Sequence, residues 1–429
     1  MSDQHHEGDS VTLDHGEVEM AEELVTDNTT GLPIHTPEHG ALHWVGRVLV
    51  FAIPLAYLLL RVFGVTGIFG DGWSNSGLGL LADALITAIA VMGVNLITGY
   101  TGQLSIGHAA FFAIGAYTGI VLTDGRISLP VFGPENLWDP GWTIPVAAIV
   151  CFVIGCVVGL PALRLKGIYL ALTTLVFVEA VRSFLKYEEF ESITGGSTGI
   201  KGEKYSPPEY VFDFFGLKLP TGLDGRGDLN QWMIYLSLGL LLFIMLLVSG
   251  LMRSRIGRAM VATRDNELAA EVMGVHLAVV KTVVFGLSGA ITGVGGALFG
   301  LKLGLVDGDV PQFGLFGAIT LLVAMVVGGA AQNWGPLIGA LFYVFVNNLA
   351  RTVGENPSDS ALGFLFSEGT KLDGLGGVLF GVMLILFARF APFGAVGTFR
   401  ILRAKVVQII PHPPKGSKRA QAAASTSDD

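Results

Sequence analysis

Of the chain's 429 residues, 51% are hydrophobic and only 14% charged, against roughly 25% charged in soluble domains. That balance argues against an ordinary water-soluble enzyme, and the 59 glycines, which follow no collagen period, suit closely packed membrane helices. The formal net charge of −9 comes largely from the N-terminal tail and the loops, and no nucleic-acid partner is expected.

Residues 1–43 are polar and contain no Lys or Arg. A secretory leader needs a basic start followed by an apolar stretch, so none is expected here. His5, His6, His15, His35, His39 and His43 can be read as a weak metal site or as part of a solvated tail. The composition predicts a disordered tail. Beyond it, a bilayer core about 30 Å thick takes roughly 20 mainly apolar helical residues to cross. On that criterion the spans are 44–63, 78–97, 104–123, 142–163, 167–186, 232–252, 282–305, 313–331, 334–349 and 375–393. Those starting at 104 and 334 follow glycine-bearing turns closely and read as broken or re-entrant. Cys151 and Cys156 share one apolar run at a spacing that does not stack them on a helix face, so neither a disulfide framework nor a metal site is expected.

Lys and Arg near span ends set orientation. Arg164 and Lys166, then Arg253, Arg255, Arg258, Arg264 and Lys281, then Arg389, Arg400, Arg403 and Lys405 fall on one side if the crossings number ten. The other side receives 124–141, 187–231, 306–312 and 351–374, which are acidic or mixed. The expectation is an all-α membrane protein, a polytopic bundle of about ten transmembrane helices with both termini cytoplasmic. Its membrane domain would be 44–393, with a cytoplasmic loop at 253–281, a long external loop at 187–231 and a cytoplasmic tail at 394–429. Pro207, Pro208 and Pro220 make the long loop an ordered one or a set of short surface helices. A weak internal echo links 98–116 with 327–340, each a glycine-bearing turn between two spans.

Four segments carry information. In 95–117, Gly99, Gly102, Gly107 and Gly115 permit a tight turn, while Gln103, Ser105 and His108 are costly in lipid unless they face protein or water. One reading is a half-broken helix lining a substrate path; the other is helix packing with internally satisfied polar groups. Ser105 and His108 also raise an intramembrane serine hydrolase, but a nucleophile and base on one helix lack the orienting third group. In 163–182, Thr173 and Thr174 lie mid-span as further path candidates. Glu179 and Arg182 are spaced i, i+3, either as an ion pair holding the helix or as a contact for the charged ends of a zwitterionic solute.

The third segment, 254–275, is too polar to span. Asp265 or Asn266 can cap a short helix with Ala269, Ala270 and Met273 as its apolar face, ended by Gly274. Such a helix suits docking into a partner's groove. The other reading, a helix resting on headgroups, calls for more bulk and Lys than Glu267 and Glu271 supply. In the fourth, 286–300, Gly289 with Gly293 and Gly296 with Gly300 follow the small-xxx-small rule for helix contact. Nowhere does the sequence hold a phosphate-binding Gly-x-x-x-x-Gly-Lys-Ser/Thr loop, so any ATP used for transport is hydrolysed by another chain, and no cofactor of its own is expected.

At 99–108, 164–171, 194–200 and 256–274 the sequence resembles the LivM-type permease subunits of branched-chain amino acid ABC importers, a likeness running from about residue 80 to 390. The last stretch also looks like the coupling motif of importer permeases, carried by Glu267, Ala269, Ala270 and Gly274 and flanked by Arg264 and Glu271. The resemblance implies that this helix docks on an ATPase. It further implies a LivH-like second permease, two ABC ATPase subunits, a periplasmic solute-binding protein, an amino acid substrate and a multi-pass location in the cell inner membrane. The acidic N-terminus and the loops 187–231 and 351–374 look larger than is typical of the family. The nearest rival is a urea or short-amide importer permease. A secondary carrier would want a relay of intramembrane carboxylates, for which Asp83 and Glu179 are sparse material. A channel would want rings of charge or a filter, and none is found.

Overall fold

A computed structural model of the chain describes residues 75–125, 140–162, 165, 167–202, 205, 225–355, 381, 385 and 394–397. The expected span 44–63, nearly all of 375–393, the tail 1–43, most of the tail 394–429, and much of the loops 124–141, 187–231 and 351–374 lie outside these residues. So do Arg164 and Lys166.

Apolar runs with no water to bond to must satisfy their backbone internally, which makes them helices. In chain order the helices are α1 (Asn75–Val94), continued by a π-helical turn (Asn95–Tyr100), α2 (His108–Thr123), α3 (Pro140–Ala162), α4 (Ile168–Leu185), α5 (Gly225–Arg253), the polar α6 (Arg255–Asp265) and α7 (Glu267–Val272), α8 (Leu277–Leu303), α9 (Leu315–Gly328) and α10 (Gly335–Glu355). Among the described residues, five helices are long and apolar enough to cross a membrane: Gly77–Tyr100, Gly141–Pro161, Ile168–Leu185, Leu229–Arg253 and Leu277–Leu303. The all-α expectation meets one departure, a two-stranded antiparallel sheet. In it β1 (Ile200–Lys201) pairs with β2 (Leu305–Val306), Ile200 opposite Val306.

Two expected spans come out shorter. Helix α2 has 16 residues and α9 has 14, about 24 and 21 Å of rise, both less than a bilayer core. The expected span at 104 begins as helix only at His108 because the backbone ahead of it is bonded elsewhere. Gly102 sits at φ 70°, the Gln103 N–H donates to the Ile97 carbonyl at 3.2 Å, and the Ile106 N–H donates to Thr174 Oγ1 at 3.0 Å. Helix α9 stops where Gly329 (φ 111°) and Ala331 (φ 57°) turn the chain. Helix α10 starts at Gly335 and runs to Glu355, past the expected end at 349.

Helix α8 lies at the centre, against α1, α2 and α3; α1 also packs on α5 and α10, and α9 on α10. The glycines of α8 divide between neighbours. A methyl on Gly289 would stand 3.0 Å from the Cys151 carbonyl oxygen of α3, and one on Gly300 2.7 Å from that of Ala116 on α2. At Gly293 and Gly296 it would press still closer, onto the Cys151 sulfur and the Phe112 carbonyl. Backbones approach this closely only where side chains are absent, which is how helices associate in lipid. Cys151 and Cys156 are both free thiols. Outward, α3 and α4 expose Trp142, Ile149, Val153, Tyr169, Leu172 and Val176, side chains suited to a lipid or protein neighbour.

Contacts between helix ends sort them into two groups. At one end Lys302 of α8 meets Gly79 of α1, and Arg182 of α4 meets the segment after β2. Arg182 Nε donates to the Gly308 carbonyl at 3.0 Å, and its Nη2 to Asp309 at 3.2 Å. Lys186 also pairs with Asp309. The expected Glu179–Arg182 pair exists, but at 3.8 Å. The arginine's closer partner is Asp309, which no i, i+3 spacing could reveal. The Lys186 hydrogen bond, above all, and then Arg182 hold the Asp309 carboxyl below the usual carboxylate range in spite of its desolvation. At the opposite end Asn95 Nδ2 donates to the Gln332 carbonyl at 3.0 Å, and Asn95 Oδ1 accepts from the Ala331 N–H at 2.9 Å. One side chain thus ties the two glycine-bearing turns of the suspected echo together.

Candidate functional site

The polar turn ahead of α2 is packed rather than open. Ser105 Oγ lies 3.4 Å from His108 Nδ1, and both residues are buried, as is Gln103. His108 sets its ring edge-on to Phe111, centroids 5.9 Å apart. His108 Nε2 and Gln103 Nε2 are buried with no hydrogen-bond partner among the described residues. Thr174 is buried under this turn and donates to the Ala171 carbonyl at 2.9 Å. Thr173 faces outward and bonds to the Tyr169 carbonyl of its own helix. Of the six path candidates, Gln103, Ser105, His108 and Thr174 therefore come together, and Thr173 does not join them. Gly102 is exposed and belongs to another site: a methyl on it would meet Arg264 Cγ at 2.7 Å.

That second site is the loop between α5 and α8. Asn266 breaks it in two, its extended backbone ending α6 and its Oδ1 accepting from the Ala269 N–H at 3.1 Å to cap α7. Of the two expected caps it is Asn266 that serves, and such a cap stabilises a helix by about 1 kcal/mol. Arg264 pairs with Asp265 at 3.1 Å. Glu267, first residue of α7, accepts from Lys281 Nζ at 2.6 Å, the lysine only 8% exposed and the glutamate 26%. Gly274, at φ 86°, reverses the chain so that the Val275 N–H reaches the Ala270 carbonyl at 3.0 Å. The apolar face expected from Ala269, Ala270 and Met273 is divided. Ala270 packs inward at 3% exposure, while Leu268 (72%), Val272 (86%) and Met273 (84%) face out, with Ala269 and Glu271 exposed beside them. The reason is helical spacing: Leu268 with Val272 and Ala269 with Met273 are i, i+4 pairs, and Ala270 lies across the helix from them.

At the other end of the bundle a cavity of about 690 Å³ opens between α1, α5, α8, α9 and α10. Asp83 and Thr87 line it from α1, Phe299, Lys302 and Leu303 from α8, Thr320 from α9 and Asn347 from α10, with Phe112 of α2 at one side. Lys302 Nζ lies 2.6 Å from Asp83 Oδ1 and donates to the Gly79 carbonyl at 2.7 Å. The lysine side chain is 14% exposed and the aspartate 41%. The sequence reading missed this pair. The available signal was one acid and one base, each inside an otherwise apolar span, a combination that in membranes marks a solute or ion path.

A bundle of apolar helices, with a charged pair in a cavity at one end and an outward-facing capped helix at the other, has the build of a multi-pass membrane transport protein. The chain belongs to the family described as branched-chain amino acid transport system / permease component, whose profile matches residues 77–388; this is a family of transport permeases, not of enzymes. It is 31% identical over 291 residues to the Escherichia coli (strain K12) high-affinity branched-chain amino acid transport system permease protein LivM, covering 63% of this chain and 63% of that one. The chain thus spans less than two thirds of that relative's length. It is 26% identical over 361 residues to a probable branched-chain amino acid transport permease protein LivM of Methanocaldococcus jannaschii, 83% of this chain and 92% of that one. With the E. coli (strain K12) permease protein LivH it shares 21% over 260 residues, 59% of this chain and 78% of that one. No solved structure matches it.

Proposed function

We propose that the chain is the permease subunit of an ATP-driven importer of leucine, isoleucine and valine, and that α7 is the helix through which separate ATPases drive it. The observation that carries this reading is α7 itself. It is capped by Asn266 and tied to α8 by Glu267–Lys281, yet turns Leu268, Val272 and Met273 outward beside charged neighbours. Three large apolar side chains at such exposure call for a partner's groove. The names of the LivM and LivH relatives supply the solute class and favour amino acids over urea or short amides.

In this reading the chain forms the translocation path with a LivH-like second permease, receives solute from a periplasmic binding protein, and sits as a multi-pass protein in the inner membrane. Residues 44–393 form the membrane domain, with about ten crossings and cytoplasmic termini. Two ATPase subunits use the ATP, and this chain holds no cofactor. Their closure moves α7, and the Glu267–Lys281 pair passes that movement into α8. Arg264 and Gly102, in contact at the same end, carry it to the turn ahead of α2. The path then opens first outward and afterwards inward.

A photocrosslinker is best placed at Met273, since Ala270 is buried. It is expected to capture a nucleotide-hydrolysing subunit, and Val272→Asp to abolish uptake while membrane insertion persists. Labelling of a Met273→Cys variant in intact cells by a membrane-impermeant thiol reagent would overturn the assignment.

A further inference from the structure

We propose that the cavity is the solute site of the permease, with Asp83 and Lys302 binding the ammonium and carboxylate of an α-amino acid. The proposal rests on the importer reading and adds to it the residues that hold the solute. Charged side chains held among membrane helices are costly to desolvate and by default mark a functional site. A purely structural clamp between α1 and α8 could be made from leucines at no such cost, and α8 already grips its neighbours through glycine. What the pair offers beyond a clamp is unused bonding capacity turned to the cavity. Lys302 commits two of its three N–H donors, to Asp83 Oδ1 and the Gly79 carbonyl, which leaves one for a carboxylate. Asp83 gives Oδ1 to the lysine and is 41% exposed, so Oδ2 remains to accept from an ammonium.

The walls fit the rest of such a solute. Phe112, Phe299 and Leu303 form an apolar seat for a branched aliphatic side chain. The volume, about 690 Å³, lies in the range of small-molecule sites. A neutral solute such as urea has no use for paired opposite charges. A zwitterion matches them at both ends, through the donor of Lys302 and the acceptor of Asp83 that the pair leaves unused. The cavity also lies at the end opposite α7, the end that faces the binding protein if α7 faces the ATPases.

The test uses the importer assembled with its partner subunits. Asp83→Asn and Lys302→Gln should each lower leucine uptake roughly ten-fold or more, as loss of a hydrogen bond to a charged group does. The Asp83→Leu/Lys302→Met variant separates binding from clamping, because an apolar pair replaces a structural ion pair at little loss. It should assemble with its ATPases and still not transport. In a Cys156→Ala background, a cysteine at the half-buried lining position, Gln312→Cys, reads binding directly. Leucine should shield it from maleimide, whereas 4-methylpentanoate, without the ammonium, and leucinamide, without the carboxylate, should not. Equal shielding by all three, or by none, overturns the site. Wild-type uptake of leucine together with an equally active double variant overturns the site alone, and a wild-type complex that takes up no leucine overturns the importer reading and the site with it.

Discussion

Replacing Glu267 by alanine removes the ion-pair partner of Lys281, whose side chain is 8% exposed. Breaking a fully buried ion pair costs about 3–5 kcal/mol, chiefly because one charge is stranded. Glu267 is itself 26% exposed, which admits water and lowers the cost to about 2–3 kcal/mol. The cost falls on the seating of α7 against α8, a local opening, so the proper assay is amide hydrogen exchange across 267–275. Opening of α7 should become about 30 to 150 times more frequent, from about 1.4 kcal/mol per decade. The Glu267→Ala/Lys281→Met variant removes the stranded charge and should recover most of that loss. About 0.3–1 kcal/mol should remain, because the acidic first-turn residue that favours the helix N-terminus is still missing. If Glu267→Ala leaves exchange unchanged, or the double variant is as loose as the single one, the pair does not seat α7 and the reasoning fails.

Two further substitutions probe the packing. Gly296→Ala drives a methyl onto the Phe112 carbonyl, so α8 and α2 must part; the purified protein should melt several degrees lower, as for an overpacked core, a cost of about 1–3 kcal/mol. Gly239→Ala, inside α5 where an added methyl meets nothing within 4 Å, is its control and should leave the melting temperature unlowered or slightly raised, alanine being the better helix former. Asn95→Ala strips the Ala331 N–H and the Gln332 carbonyl of their side-chain partner, at about 1–3 kcal/mol for each group left unsatisfied. Limited proteolysis should then cut the segment 329–334 sooner than in the parent protein.

The helices were legible because apolar runs in lipid have few alternatives, and eight of the expected spans coincide with helices among the described residues. Their ends were less so. Whether the chain coils at Leu104 or only at His108 depends on Thr174, some seventy places away in sequence, taking the Ile106 N–H. The outward face of α7 was misassigned because a helix of 6 residues is too short for periodicity to say which side is covered. The polar turn at 102–108 drew attention through its composition, yet the structure packs it shut around His108. The Asp83–Lys302 pair went unread for the opposite reason. Each residue is a single charge in a long apolar run, and only the packing of α1 on α8 sets them 2.6 Å apart.

The glycine faces of α8 have a mechanical corollary. A contact built on interdigitating side chains keys two helices together, so that neither can turn without repacking. One built on bare backbone holds them just as near but leaves no teeth to jump. The glycine faces bar α8 from drifting sideways, while the ring pairs Phe285–Phe111 and Phe299–Phe112 key it to α2, so that a movement of α8 takes α2 with it. The two lysines of α8, Lys281 near one end and Lys302 near the other, are 21 places apart and so about 32 Å along the helix. A nudge at the first can therefore arrive at the second with little loss on the way.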